Sequence, residues 1–331
     1  MNPIDVMGGM SLHYDFSKAK HITENLDKHL EDYRTDFDKI KELANKPVTD
    51  TNYNATFQLL LNIVDAIPLM ITPLDTRIPV VRSMENNCNS IFSEQTRMSY
   101  HPVPRSVSAG RFNAPGISLF YGSLPVPGSE LDFMLTSCLE CCKGLSSKEN
   151  PVEYQIMTAG VWKLMAALPM VNLCIDDVHL KTNPTLKEAT DGYLKMLKEN
   201  LSPNAFDFTL AFITYFSGLS RLPVEENKTY HITTALFTAI RYYYISKMDI
   251  PFAGLIYPSS VTEGEGLNVA MVPYAVDYCL KLKKVGMFDF VYDNANRTFD
   301  GKPCCDLAEV VDGHFKITGY APRRSLRWIQ E

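Results

Sequence analysis

The chain reads as an α+β protein, a mixed β core with surrounding helices, on three observations. Two amphipathic stretches open it, short β-prone runs between turns dominate from about Thr72, and further helical stretches interrupt those runs before strands return. Strand and helix signals do not alternate regularly, which argues against a doubly wound parallel sheet. With 331 residues, 46% hydrophobic and 21% charged, the chain can bury the core of one large domain or two ordinary ones.

Taken in order, residues 17–45 place Ile22, Leu26, Leu30, Tyr33, Phe37, Ile40 and Leu43 three and four apart. That spacing predicts a helix, ended near Asn45 because Pro47 follows. Asn54–Ile67 carries a second stripe (Phe57, Leu60, Leu61, Val64) and stops at Pro68. Residues 1–70 are therefore an N-terminal helical extension, either a cap or dimer element or helices packed on the main domain of 71–331. Strands are expected at 78–82 (IPVVR), 117–121 (ISLFY) and 154–160 (YQIMTAG), and a helix at Phe133–Lys143. Asn183-Pro184 is an N-cap with proline at the first helical position, which starts a helix running to Asn200. A Phe-rich helix at Ala205–Leu219 completes a helical layer at about 176–226. His231–Met248 is a further amphipathic helix, followed by strands at 252–258 and 267–272. From Val285 apolar and polar residues alternate, with turn signals at Asp293-Asn294, Asp300-Gly301 and Asp312-Gly313, so the tail reads as one or two hairpins.

A formal charge of −6 argues against general affinity for nucleic acid or anionic membrane. No apolar run reaches the length of a membrane span, and the start, MNPIDVMGGMSLHYDF, lacks a basic region followed by an apolar one. The expected compartment is the cytoplasm, where the eight Cys are reduced thiols. Cys138, Cys141, Cys142, Cys304 and Cys305 could be imagined around zinc, but the CxxC falls in an expected helix with no His close by, so no metal is expected. The seven His show no metal-type pairing, and GxSxG, Walker A and HExxH motifs are absent.

Three stretches could carry chemistry. In AGRFNAPGISLFYGS (109–123), Gly110 lets a ligand approach the backbone and the Arg111 fork suits a phosphate or pyrophosphate. Tyr121 can stack or donate, and Ser123 adds a small donor. Spacing alone favours the plainer reading of a surface Arg, a core Tyr and a turn Ser. In LIYPSSVTEGEGLN (255–268) a strand leads to Ser259, Ser260 and a Gly-rich connection, then Asn268. Its glycines lack the third member of a dinucleotide fingerprint. In TSCLE (136–140), Glu140 is either a solvated helix residue or, in a pocket, a stabiliser of positive charge.

In this order the stretches resemble the RES domain family. The matching residues are VVR ending at Arg82, GRFNAPG with Gly110, Arg111 and Asn113, LFYGS with Tyr121 and Ser123, TSCLE ending at Glu140, IYPSS around Ser259, and GLN ending at Asn268. YHITTALFTAIR is also similar to the family's helix before the last strand. The match covers about 77–273, interrupted by the helical layer. The carboxylate lies farther behind the Tyr-containing strand than in the family, with Glu130 as its rival, and the adjacent Ser260 competes with Ser259.

The resemblance implies a fold similar to ADP-ribosyltransferases and NAD⁺ as substrate. It implies cleavage of the nicotinamide–ribose bond by hydrolysis or phosphorolysis in an NAD⁺-depleting toxin, which a cognate antitoxin would neutralise. The alternatives are ADP-ribosyl transfer to a protein or nucleotide, and a catalytically silent scaffold of the same fold. In the NAD⁺ reading Arg82 and Arg111 take the pyrophosphate and Glu140 the oxocarbenium-like ribose. Tyr121 stacks on nicotinamide, Ser259 hydrogen-bonds the amide or ribose, and Gly110, Asn113, Ser123 and Asn268 complete the pocket.

Overall fold

The computed structural model describes residues 24–86, 90–125, 133–146, 151–175, 180–181, 183–222, 229–249, 251–261, 266–293 and 298–324. Within them the protein is α+β, with eight helices and an open, mixed sheet of ten strands. The start of the first expected helix, Glu130, Asn294 and the first residues of the helical layer lie outside the described residues.

Helix α1 is Leu30–Ala44 and α2 is Asp50–Ala66. Thr49 caps α2, its hydroxyl accepting from the Asn52 amide at 3.1 Å. The buried faces match the predicted stripes in part: Leu30, Phe37 and Ile40 on α1 and Leu60 and Val64 on α2 are buried, Tyr33, Leu43, Phe57 and Leu61 are half-buried, and Ala44 and Ile63 join the core beside them. Both helices pack on α7 (Tyr230–Tyr242), where the Tyr53 and Thr238 hydroxyls meet at 3.0 Å. Phe37 reaches the helical layer, with ring centroids 5.3 Å from Phe212 and 5.4 Å from Tyr215. One hydrophobic core runs unbroken from these helices to the sheet.

The strands are β1 (Ile71–Leu74), β2 (Val80–Glu85), β3 (Phe120–Leu124), β4 (Tyr154–Leu164), β5 (Leu168–Asn172), β6 (Gly254–Pro258), β7 (Leu267–Met271), β8 (Leu280–Asp293), β9 (Thr298–Pro303) and β10 (Ala308–Glu309). Their order is β1-β5-β6-β7-β3-β2-β4-β8-β10, with β9 also pairing β8. Only β5 and β6 run parallel among these pairs. The α5–α6 layer, Pro184–Asn200 and Pro203–Arg221, begins as expected, with the Asn183 side chain accepting from the Leu186 amide at 2.9 Å.

Several expectations need correction. The run 117–119 is not strand. Ile117 closes a turn onto the Ala114 carbonyl and is exposed, and pairing starts only where Phe120 meets Met271. Asp300-Gly301 is no turn but the middle of β9, because its backbone pairs with Val291 and Phe290 of β8. Asp312-Gly313 is a turn, with φ of 49° and 78°. The long helix at His231 leaves α-geometry at Tyr243, where a π-turn runs to Lys247. Strands β1 and β5 and helix α8 (Pro273–Cys279) are additions. Each is short, and β1 and β5 carry a proline, which blunts a strand signal. Among the described residues no helix is long and apolar enough to cross a membrane. Nor does any group of three or more His, Cys, Asp or Glu there suit a metal ion.

Candidate functional site

Ser123, Asn268 and Tyr257 sit side by side across three strands. Ser123 pairs with Asn268, and Asn268 with Tyr257, so the register turns all three side chains to one face. Helix α3 (Phe133–Cys141), followed by the one-turn α4 (Lys143–Ser146), packs on β2 and β3 beside them. Helix α3 is pinned to β2, where the Ser137 hydroxyl donates to the Val81 carbonyl at 3.2 Å and the Cys138 thiol to the Ser83 hydroxyl at 3.4 Å. Cys138 and Cys142, four residues apart, face the core with Met157 and Phe290. Ser137, Glu140 and Cys141 line a cavity of about 260 Å³, Cys141 at its border with that cluster. Its wall also contains Arg82, Gly110, Arg111, Tyr121, Ser123, Tyr230, Tyr257 and Asn268.

The Glu140 carboxylate is held by a converging set of neutral donors. Its Oε1 accepts from the Ser259 hydroxyl at 2.6 Å, the Asn268 Nδ2 at 2.8 Å and the Ser260 amide at 3.0 Å. The Ser123 hydroxyl donates to Asn268 Oδ1 at 2.9 Å, which fixes the Asn268 amide with its NH₂ toward Glu140. Among the described residues Oε2 has one long contact, the Ser260 hydroxyl at 3.5 Å. Thr136, the start of the TSCLE frame, is buried outside the cavity wall, and its hydroxyl has no partner among the described residues.

The Gly110–Asn113 loop is tied down from within. Asn113 donates to the Ser108 carbonyl at 2.9 Å and accepts from the Tyr121 hydroxyl at 2.8 Å. That hydroxyl in turn accepts from the Phe112 amide at 3.0 Å. Gly110 packs against this pair so closely that a Cβ would fall 2.4 Å from Asn113 Oδ1. Asn113 is thus a loop tie rather than part of the cavity wall, and the Tyr121 hydroxyl is spent on the loop. Tyr121→Phe is expected to leave the Phe112 amide and the Asn113 side-chain Oδ1 unpaired, at a cost of about 1–3 kcal/mol. Urea unfolding measures it, and unchanged stability would contradict the assigned tie.

The two arginines differ. Arg111 is buried and donates from Nη1 to the Leu222 carbonyl at 2.8 Å and from Nη2 to the Ser260 hydroxyl at 3.0 Å, with its Cζ 5.6 Å from the Tyr230 ring centroid. Its own carbonyl accepts from the Thr233 hydroxyl of α7. Arg82 gives one hydrogen bond, from Nη1 to the Tyr121 carbonyl at 2.8 Å, and its Nε has no partner among the described residues. Neither arginine forms an ion pair with a described carboxylate. Burial pulls the Arg82 guanidinium below its ordinary range.

Burial likewise pushes the phenols of Tyr121, Tyr230 and Tyr257 up, so each keeps its proton at neutral pH. Burial pushes the Cys141 thiol up to about 11, with Arg82 opposing. Such a thiol is not a nucleophile at neutral pH. The hydroxyls of Tyr230 and Tyr257 carry no hydrogen bond to a described residue while their side chains line the cavity.

The sequence-selected Arg82, Gly110, Arg111, Tyr121, Ser123, Glu140 and Asn268 therefore meet at one cavity, and Asn113 and Ser259 stand behind it. Tyr230 and Tyr257 were not singled out. Tyr257 lies inside IYPSS, and Tyr230 opens YHITTALFTAIR, the stretch that resembles the family's helix, so both lay within matched stretches, although neither position was selected. No family model and no curated protein matches the chain.

Proposed function

We propose that the protein is a RES-type enzyme on an ADP-ribosyltransferase-like core that cleaves the nicotinamide–ribose bond of NAD⁺. The observation that carries the reading is Glu140. Its carboxylate is locked at one oxygen and, among the described residues, open at the other, and it faces a cavity that also holds two guanidiniums without a described carboxylate partner. Heterolysis of the N-glycosidic bond expels neutral nicotinamide and leaves an oxocarbenium-like ribose, which a fixed carboxylate in a sheltered site stabilises without reorganising. Arg82, with spare donors, is the natural contact for the pyrophosphate. Tyr230 and Tyr257 offer protonated hydroxyls and apolar ring faces to the nicotinamide end, beside the Tyr121 ring, which also lines the cavity and keeps its stacking role. The cavity lies just below the usual range of about 300–1,000 Å³ for ligand sites, a size suited to the reactive half of the dinucleotide.

Water attacking the ribose C1″ gives ADP-ribose and a proton, and inorganic phosphate gives ADP-ribose 1″-phosphate. The test is incubation of the full chain with NAD⁺, with nicotinamide followed by chromatography in phosphate and in phosphate-free buffer. Release is expected. Absence of release in both overturns the reading and favours a silent scaffold. Labelled NAD⁺ in lysate separates the transferase, which would place label on macromolecules. An antitoxin partner follows from the same reading, and a neighbouring gene whose product blocks release would supply it.

A further inference from the structure

Arg111 and Glu140 do not touch, yet one residue joins them. Ser260 accepts from Arg111 Nη2 at 3.0 Å, so its own hydroxyl proton is left to point at Glu140 Oε2, 3.5 Å away. The Ser260 amide donates to Oε1 at 3.0 Å. Three donors saturate Oε1, whereas Oε2, with only the long Ser260 contact among the described residues, keeps lone-pair capacity for a substrate.

From this arrangement we infer that Ser260 is a positioning residue through which Arg111 orients the Glu140 carboxylate, and that Oε2 is the oxygen presented to the reacting centre. Arg111 has its fork divided between the Leu222 carbonyl and Ser260. It is an internal strut that ties the end of α6 to the carboxylate, and the anion-binding role falls to Arg82. Ser259 differs from Ser260. It is fully buried, accepts from the Val261 amide at 3.3 Å and donates to Oε1, so it locks the oxygen that does not react. Arg111, Ser260 and Glu140 should then behave as one unit, because a carboxylate displaced by a fraction of an ångström loses its alignment with the reacting carbon.

The rate readout rests on the cleavage reaction proposed above. Ser260→Ala removes the hydroxyl and keeps the amide donor, so the fold and the Oε1 lock are retained. It is expected to lower kcat for nicotinamide release about 10- to 100-fold with KM near wild type. Ser260→Thr, which keeps the hydroxyl, is expected to restore most of that rate. Arg111→Lys cannot span both acceptors and should lower kcat similarly, and the double variant should lose no more than either single one. Losses that multiply in the double variant, or a Ser260→Ala enzyme with wild-type kcat, would overturn the inference. Should the wild-type chain release no nicotinamide, the functional reading falls and this inference is read from a crystal structure of Ser260→Ala. A rotated Glu140 carboxylate supports it, and a carboxylate unmoved beside an unmoved Arg111 overturns it.

Discussion

Glu140→Gln is expected to lower nicotinamide release from NAD⁺ by about 10³-fold, equivalent to about 4 kcal/mol of transition-state stabilisation. The substitution keeps the shape of the side chain. Its amide oxygen can still accept from Ser259, Ser260 and Asn268, so the cradle has no reason to collapse. The lost feature is the negative charge at the position of Oε2, replaced by an NH₂ group that cannot stabilise a developing cation. The melting temperature should stay close to wild type while single-turnover release nearly vanishes. A Gln variant with wild-type rate would remove Glu140 from the chemistry. The neighbouring Cys141 cannot take its place, since burial holds its thiol protonated at neutral pH.

The second large effect is on stability and lies far from the cavity. Arg323, near the end of the described chain, inserts into the β8–β9 hairpin through five hydrogen bonds. Its amide and Nε reach the Asp289 carboxylate at 2.6 and 2.7 Å, Nη1 reaches the Asp300 carboxylate at 2.6 Å, and Nη2 takes the Asp289 and Asp300 carbonyls at 2.7 Å. Asp289 is fully buried, and its other side-chain contact here is a long one from the Tyr154 hydroxyl at 3.5 Å. Arg323→Ala therefore strands a buried carboxylate, which typically costs about 3–5 kcal/mol. Urea unfolding should show that loss. Adding Asp289→Asn should recover part of it, because a neutral amide needs no counter-charge. A loss below about 1 kcal/mol would mean that the exposed share of the contact dominates. The Asp300 arm contributes little by itself. Asp300 is exposed, and its carboxyl is held below the ordinary range by Lys302 first and Arg323 second.

Helices and their limits were the most legible part of this chain, because their causes are local. The Asn183-Pro184 start, the apolar stripes of α1 and α2 and the stop before Pro68 each follow from neighbouring residues, and each is found close to its expected place. Strand ends were less legible. Ile117 and Leu119 are as β-prone as Phe120, but a strand begins only where a partner backbone lies alongside, and Met271 is 151 positions farther on than Phe120. Nothing near Gly301 announces that it pairs with Phe290.

The site divides in the same way. Local motifs selected an arginine loop, a helix carboxylate, a serine pair and a strand asparagine, and these residue types carry the chemical potential of the cavity. Their roles were decided by contact. The Tyr121 hydroxyl went to the Phe112 amide and Asn113, Ser259 came to lie behind the carboxylate, and Ser260 came to lie between Arg111 and Glu140. Tyr230 joined from the first position of YHITTALFTAIR, where the helical pattern says nothing of which side chain reaches the cavity. Periodicity, capping and residue type act within a few positions and so fix which segments are helical and which groups are available. Which oxygen of Glu140 stays open depends on donors from residues 259, 260 and 268, brought to the α3 helix by strand register, and only the folded sheet sets that.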